Sequence, residues 1–220
     1  MPAPRAVVFD LDGLMFNTEE LYVEVGTKIL RRRGYEFTPD LIDRMMGRTG
    51  PVALQIMIDT HTLKATVEEL VAETDEIFPE LLRDKLEPMP GLVELLAALE
   101  QHHIPKGIAT SSRRSFVTKV LAKFDYESRF APILTSEDIT HGKPDPEIYL
   151  TAAKQIGVSP SEMLVLEDSQ NGCRAALAAG AITVAVPSGH SHRHDFTGVN
   201  LIAETLRDAR IYQLLGIATD

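Results

Sequence analysis

The stretch Ala6-Val7-Val8-Phe9-Asp10-Leu11-Asp12-Gly13 decides the reading of this chain. Four apolar residues, β-branched in the middle, give way at once to two carboxylates and a glycine. That is the pattern of a short buried strand ending in acid and a turn. Asp10 and Asp12 lie two apart, so while the chain stays extended their side chains leave on the same face. Four later segments share the apolar, strand-like character: Ile104 to Thr110, Ala131 to Thr135, Met163 to Leu166 and Ala181 to Val186. Helical patterns lie between most of them. Gly91 to Gln101 carries Leu92, Leu95, Leu96 and Leu99 on one stripe; Phe116 to Phe124 carries Val117, Val120, Leu121 and Phe124; Pro146 to Ile156 carries Ile148, Leu150, Ala153 and Ile156; Gly172 to Ala179 is alanine-rich. Strands alternating with helices predict an α/β architecture, a Rossmann-like parallel sheet with helices on both faces.

One stretch breaks the alternation. Residues 17 to 85 show helical periods and no convincing strand. Asn17 with Glu20 and Thr66 with Glu69 have the spacing of capping boxes, and Pro39 and Pro51 sit where a helix would begin. Leu21, Val25 and Ile29 fall at i, i+4 and i+8 of a first helix that Gly34 ends after Arg31-Arg32-Arg33, a basic triplet read as a solvated face complementing the helix dipole. Pro88-Met89-Pro90-Gly91 reads as a hinge. The expected organisation is an α/β core of residues 1–14 and 88–220 with an all-helical domain, residues 15–87, inserted after the first strand.

Composition narrows the function classes. The chain has 220 residues, 44% hydrophobic and 25% charged, which is globular rather than disordered. Its formal net charge of −10 argues against a basic surface for nucleic acid. No apolar run is long enough to span a bilayer. The single cysteine, Cys173, forms no internal disulfide, and no leader pattern opens the sequence. The expectation is a cytoplasmic protein without membrane or nucleic-acid partners, with a monomer as the default. Cys173 itself reads as a small packed side chain.

The chemistry collects at strand ends. Glu167-Asp168 closes the strand Met163 to Leu166, and ligands of open parallel sheets bind outside the carboxyl ends of their strands. Several carboxylates converging there require a cation or shared protons, and hard oxygen ligands point to magnesium. Ala109-Thr110-Ser111-Ser112 ends another strand with hydroxyls and backbone N–H groups that suit an anion. Gly142-Lys143-Pro144-Asp145-Pro146 holds a lysine on a stiff loop. The alternating histidines of Gly189 to Asp195, His190, His192 and His194, lack a fixed zinc geometry. Arg113 and Arg114 read as solvated.

Taken in order, Phe9 to Gly13, Ala109 to Ser112, Gly142 to Pro146 and Leu166-Glu167-Asp168-Ser169-Gln170-Asn171-Gly172 resemble the four motifs of the haloacid dehalogenase superfamily. The helical insertion resembles that superfamily's cap domain, in the branch of β-phosphoglucomutase and small-metabolite phosphatases. The resemblance implies Asp10 as nucleophile forming an aspartyl phosphate and Asp12 as general acid and base. It implies Thr110 and the Ser111 N–H on the phosphoryl group, and Lys143 on both nucleophile and phosphoryl group. Magnesium would be held by Asp10, the Asp12 carbonyl and Asp168, with Glu167 a more distant or water-mediated partner. An acid at Asp12 argues against dehalogenation, since a departing halide needs no proton.

The chain also departs from the pattern. Asn17 stands where many relatives carry aspartate. The loop Arg44 to Gly50 resembles the cap segment that chooses the substrate, but Met46 and Gly50 occupy places where the mutases carry cations, and Arg48 is the remaining substrate-binding candidate. The expected activity is therefore magnesium-dependent hydrolysis of a small phosphorylated metabolite, a sugar or nucleoside phosphate. A phosphosugar mutase and a non-catalytic phospho-ligand-binding module are the alternatives.

Overall fold

The computed structural model describes residues 3–45 and 48–218, with His190 described by its backbone alone. The chain divides into two compact units, Met1–Asn17 with Glu87–Asp220, and Thr18–Leu86. In the first, β1 (Ala6–Phe9), β2 (Lys106–Ala109), β3 (Ile133–Leu134), β4 (Met163–Glu167), β5 (Ile182–Ala185) and β6 (Leu201–Ile202) form one sheet in the order β3-β2-β1-β4-β5-β6. Every pairing is parallel, with Val8 opposite Gly107 on one side and Val165 on the other. All four residues of β1 are buried, as a strand covered on both faces requires.

Helices α5 (Leu92–Gln101), α6 (Arg114–Ala122), α7 (Glu147–Ile156), α8 (Gln170–Ala179) and α9 (Ala209–Leu214) complete this unit. Helices α7 and α8 pack together over Val8, Ala109, Met163 and Val165 through small residues, Ala152, Ala153, Ala175 and Ala176, which let helix and sheet approach closely. The predicted α5 stripe, Leu92, Leu95, Leu96 and Leu99, is fully buried.

Several boundaries differ from the sequence reading, for physical reasons. The predicted strands starting at Ile104 and Ala131 begin only after Pro105 and Pro132, residues with no N–H for a ladder. β6 and α9 carry no periodic run long enough to read; β6 is two residues long and its Ile202 is 53% exposed. On α7 the buried stripe is Ile148, Tyr149, Ala152 and Ala153, while Leu150, expected inside, is 44% exposed.

The second unit holds α1 (Thr18–Arg31), α2 (Pro39–Met45), α3 (Gly50–His61) and α4 (Val67–Lys85), with no strand among its described residues. Leu21, Val25 and Ile29 are buried in α1, which packs on α4. The Thr66–Glu69 capping box is formed at the start of α4. Arg33 pairs with Glu73 and Arg32 with Glu73 and Glu76, so two arginines of the basic triplet tie α1 to α4. No described helix is long and apolar enough to cross a membrane.

The chain leaves and re-enters the α/β unit through adjacent backbone. The Met89 N–H donates to Met15 O at 2.9 Å, the Asn17 N–H donates to Glu87 O at 3.2 Å, and the Asn17 Oδ1 accepts the Glu87 N–H at 2.9 Å. Asn17 thus closes this neck.

Lys106 places an ammonium on a buried strand, and Glu100 answers it at 3.0 Å while accepting two bonds from Arg129 at 2.8 and 2.9 Å. The Arg129 bonds, opposed by burial and assisted by Lys106, pull the Glu100 carboxyl down to about 2. A depressed carboxyl stabilises the fold above its ordinary value of 4.5 and loses that contribution as pH falls towards 2. Because Glu100 is 42% exposed, the effect belongs near the surface-pair range. Glu100→Gln should cost about 1 kcal/mol, or roughly 2–4 °C in Tm, at pH 7. The gap to the parent should narrow by pH 3; thermal melts showing an equal gap at both pH values would contradict the pairing.

Candidate active site

In a sheet of this order the chain builds from β1 out to β3 on one side and then crosses to β4 on the other, and a crevice opens between the carboxyl ends of β1 and β4. Asp10 follows the last residue of β1, Glu167 ends β4, and Asp168 comes next. All three are buried, and each offers a carboxylate oxygen within 4.8 Å of the others. Residues 10 and 168, far apart in sequence, thus meet because β1 and β4 are paired in register, Phe9 opposite Leu166.

Lys143 reaches the crevice from the loop before α7. Its side chain is 5% exposed. The Nζ donates to Asp10 Oδ1 at 2.6 Å, Glu167 Oε1 at 2.6 Å and the Ala109 carbonyl at 2.9 Å. Three acceptors match the three protons of an ammonium. Burial pulls its pKa down, but Asp10 and Glu167 more than offset that and hold it above the ordinary lysine value. The loop is braced by Glu147, whose carboxylate accepts the N–H groups of Thr140 at 2.8 Å and His141 at 2.7 Å.

Glu167 is the most enclosed of the acids. Besides Lys143, its Oε1 accepts the Tyr149 hydroxyl at 2.7 Å, and its Oε2 accepts the Ser169 N–H at 3.2 Å and hydroxyl at 3.0 Å. Burial, with the Glu167 charge adding to it, pushes the Tyr149 phenol well up, so it stays a donor. Neither Tyr149 nor Ser169 was assigned a role from sequence. Tyr149 was masked by an α7 stripe drawn through Leu150, and Ser169, quoted only within its motif, also caps α8, accepting the Gly172 N–H at 3.1 Å.

Asp12 faces the end of β2. Its Oδ2 accepts the Thr110 hydroxyl at 3.2 Å and the Ser112 hydroxyl at 2.6 Å. Thr110 is fully buried and its Oγ1 also accepts the Ser112 N–H at 3.1 Å. Ser112, quoted in its motif but given no individual role, is thus the shorter contact to Asp12. Ser111 is exposed at the same turn. Arg48 belongs to the helical unit and is exposed between α2 and α3, whereas Met46 lies outside the described residues. Among the described residues His192 and His194 join no cluster of possible metal ligands, and the His190 side chain lies outside the described part. His194 instead accepts the Gln170 N–H through Nδ1 at 3.4 Å. Arg114 is held by the Ile133 carbonyl and Asp138. Cys173 is buried against Ala185 and Phe196, and burial pushes its thiol up.

The crevice carries more negative charge than one lysine balances. Burial, reinforced by Glu167 and Asp12 and opposed by Lys143, lifts the Asp10 carboxyl well above the ordinary carboxylate range. Clustered carboxylates without a histidine or cysteine ligand among them are the donor set of a hard divalent cation, and magnesium fits it.

The sequence model of the family described as haloacid dehalogenase-like hydrolase matches residues 7–186. The chain is 33% identical over 180 residues to a phosphorylated carbohydrates phosphatase of Thermotoga maritima, covering 80% of this chain and 82% of that protein. It is 31% identical over 193 residues to the β-phosphoglucomutase of Bacillus subtilis, covering 84% of each. A bifunctional riboflavin kinase/FMN phosphatase of Arabidopsis thaliana is 31% identical over 93% of this chain, which spans 54% of that longer protein. Among solved structures, a family IA hydrolase of the same superfamily from Entamoeba histolytica matches with a TM-score of 0.81 at 27% identity, covering 96% of this chain and 98% of that one.

Gly172, in the first turn of α8, leaves the space that Glu167 fills: a Cβ there would run into the Glu167 carboxylate. The carboxylate is pinned by four bonds and cannot swing aside cheaply. Gly172→Ala should therefore destabilise the fold by about 1–3 kcal/mol, measured by urea unfolding; parental stability would mean that Glu167 is not pinned.

Proposed function

This chain belongs to the haloacid dehalogenase-like hydrolase family, and from that premise we propose that it is a magnesium-dependent phosphatase of a small phosphorylated metabolite, a sugar or nucleoside phosphate. The carrying observation is the Asp10 carboxylate at the end of β1, bound by Lys143 at 2.6 Å and within 4.8 Å of Asp168. That carboxylate is buried, and its ion pair with Lys143 is not a closed one, since its neighbours include Glu167, Asp168 and Asp12.

In the proposed reaction an Asp10 oxygen attacks phosphorus in line and the bond to the leaving oxygen breaks. Asp12 gives that oxygen its proton. Asp12, now a carboxylate, takes a proton from water as the water oxygen attacks phosphorus. The bond to Asp10 breaks, releasing phosphate. Ser112 holds Asp12 at 2.6 Å, and the Thr110 hydroxyl, turning its one proton from Asp12 to the ligand, would hold the phosphoryl oxygens with the Ser111 N–H. Lys143 offsets the repulsion between a phosphate dianion and the aspartate. Asp10, Asp168 and the Asp12 carbonyl would hold magnesium, which when bound supplies charge neutralisation at the phosphoryl group. Glu167, already occupied on both oxygens, would serve chiefly to hold Lys143. Arg48 is proposed as a contact to the substrate.

A phosphate-release screen over sugar phosphates and nucleotides tests the reading. Turnover should require magnesium, stop with chelator, and fall by about a thousandfold or more in Asp10→Asn. Asp12→Ala should lose about 10²–10⁴-fold, and Arg48→Ala should raise KM. Full activity in chelator or in Asp10→Asn would sink the mechanism. Conversion of a sugar phosphate to its isomer without release of phosphate would favour the mutase chemistry named for the Bacillus relative. Magnesium at about a hundred times its Kd should also stabilise the parent by about 2.7 kcal/mol in melts, and Asp168→Asn should lose that gain.

A further inference from the structure

Tyr149 is a tyrosine at a place that packing alone would give to phenylalanine. It is fully buried among Val8, Ala152 and Ala153 in an otherwise apolar layer between α7 and the sheet. A hydroxyl there costs stability unless it is bonded. Its partner is Glu167 Oε1 at 2.7 Å, the same oxygen that accepts Lys143 at 2.6 Å. The ring also lies under the ammonium, with Lys143 Nζ 5.1 Å from its centroid.

Resting on the reading of Asp10 as nucleophile and Lys143 as its partner, we infer that Tyr149 is a positioning residue for the phosphoryl-transfer step, fixing Lys143 through Glu167. The geometry explains how. Lys143 stands between two carboxylates at equal distance, and a lysine so placed follows whichever carboxylate moves. The Tyr149 hydroxyl pins the Glu167 side, so the ammonium is held at a fixed distance from Asp10. The position of Tyr149 in the first turn of α7 couples it to the loop that carries Lys143, because the Tyr149 N–H bonds the Pro146 carbonyl at 3.0 Å. Without the hydroxyl, Glu167 keeps Ser169 on its other oxygen but gains freedom to rotate, and Lys143 moves with it.

Tyr149→Phe removes the hydroxyl and keeps the ring and the volume. The expected result, assayed well below the variant's melting temperature, is a fall in kcat of about tenfold with KM within about twofold of the parent. A parental kcat, or a loss confined to KM, overturns the inference. A second readout needs no substrate. In protein labelled with ¹⁵N-lysine, the Lys143 ammonium signal, assigned by its disappearance in Lys143→Met, should shift or exchange faster in Tyr149→Phe. An unchanged Lys143 signal overturns the inference even if kcat falls, since the loss would then not pass through Lys143. If the parent turns over no phosphate ester, the proposed function fails, and the ammonium signal still decides the role of Tyr149.

Discussion

The Lys143 ammonium sits almost out of reach of solvent between Asp10 and Glu167, with the Ala109 carbonyl taking its third proton. Removing such charges from water costs several kcal/mol per ion, and the cost is offset only when the donors and acceptors are fully matched. The surrounding structure can be understood as meeting that condition. β1 and β4 must be adjacent to bring Asp10 and Glu167 to one place; β2 must end at Ala109 to offer its carbonyl; the loop before α7 must be braced to deliver the lysine. Loss of any one element would leave a buried charge short of a partner.

The same arrangement reconciles an anionic ligand with an acidic protein. At a net charge of −10, long-range attraction for a phosphate ester is not available from the molecule as a whole. On the proposed reading, binding comes from short-range groups: one lysine, hydroxyls, backbone N–H groups and a cation that the carboxylates would hold. Within the crevice the low dielectric strengthens each of these.

Much of this was legible in the chain itself. Short β-branched runs ending in acid or hydroxyl residues marked β1 and β4 and the ends carrying Thr110 and Asp168, because a fully buried parallel strand has few ways to be written. Helix α5 declared itself through four leucines at helical spacing. What stayed hidden was decided by tertiary context. β6 is two residues at an open edge. Tyr149 went unread because apolar periodicity gave its stripe to Leu150, and only the position of Glu167 reveals why the buried residue carries a hydroxyl. Ser112 was visible as one of three hydroxyls at a turn, but which of them reaches Asp12 depends on the rotation of the backbone after β2.

The neck formed by Met15, Asn17, Glu87 and Met89 has a consequence for the chain's malleability. The core fixes both ends of the intervening segment side by side with its own backbone bonds. The entropy of closing that segment grows only slowly with its length. Residues 18 to 86 can therefore be lengthened, shortened or exchanged for another folded module at small energetic cost to the sheet, which leaves the crevice at the ends of β1 and β4 intact.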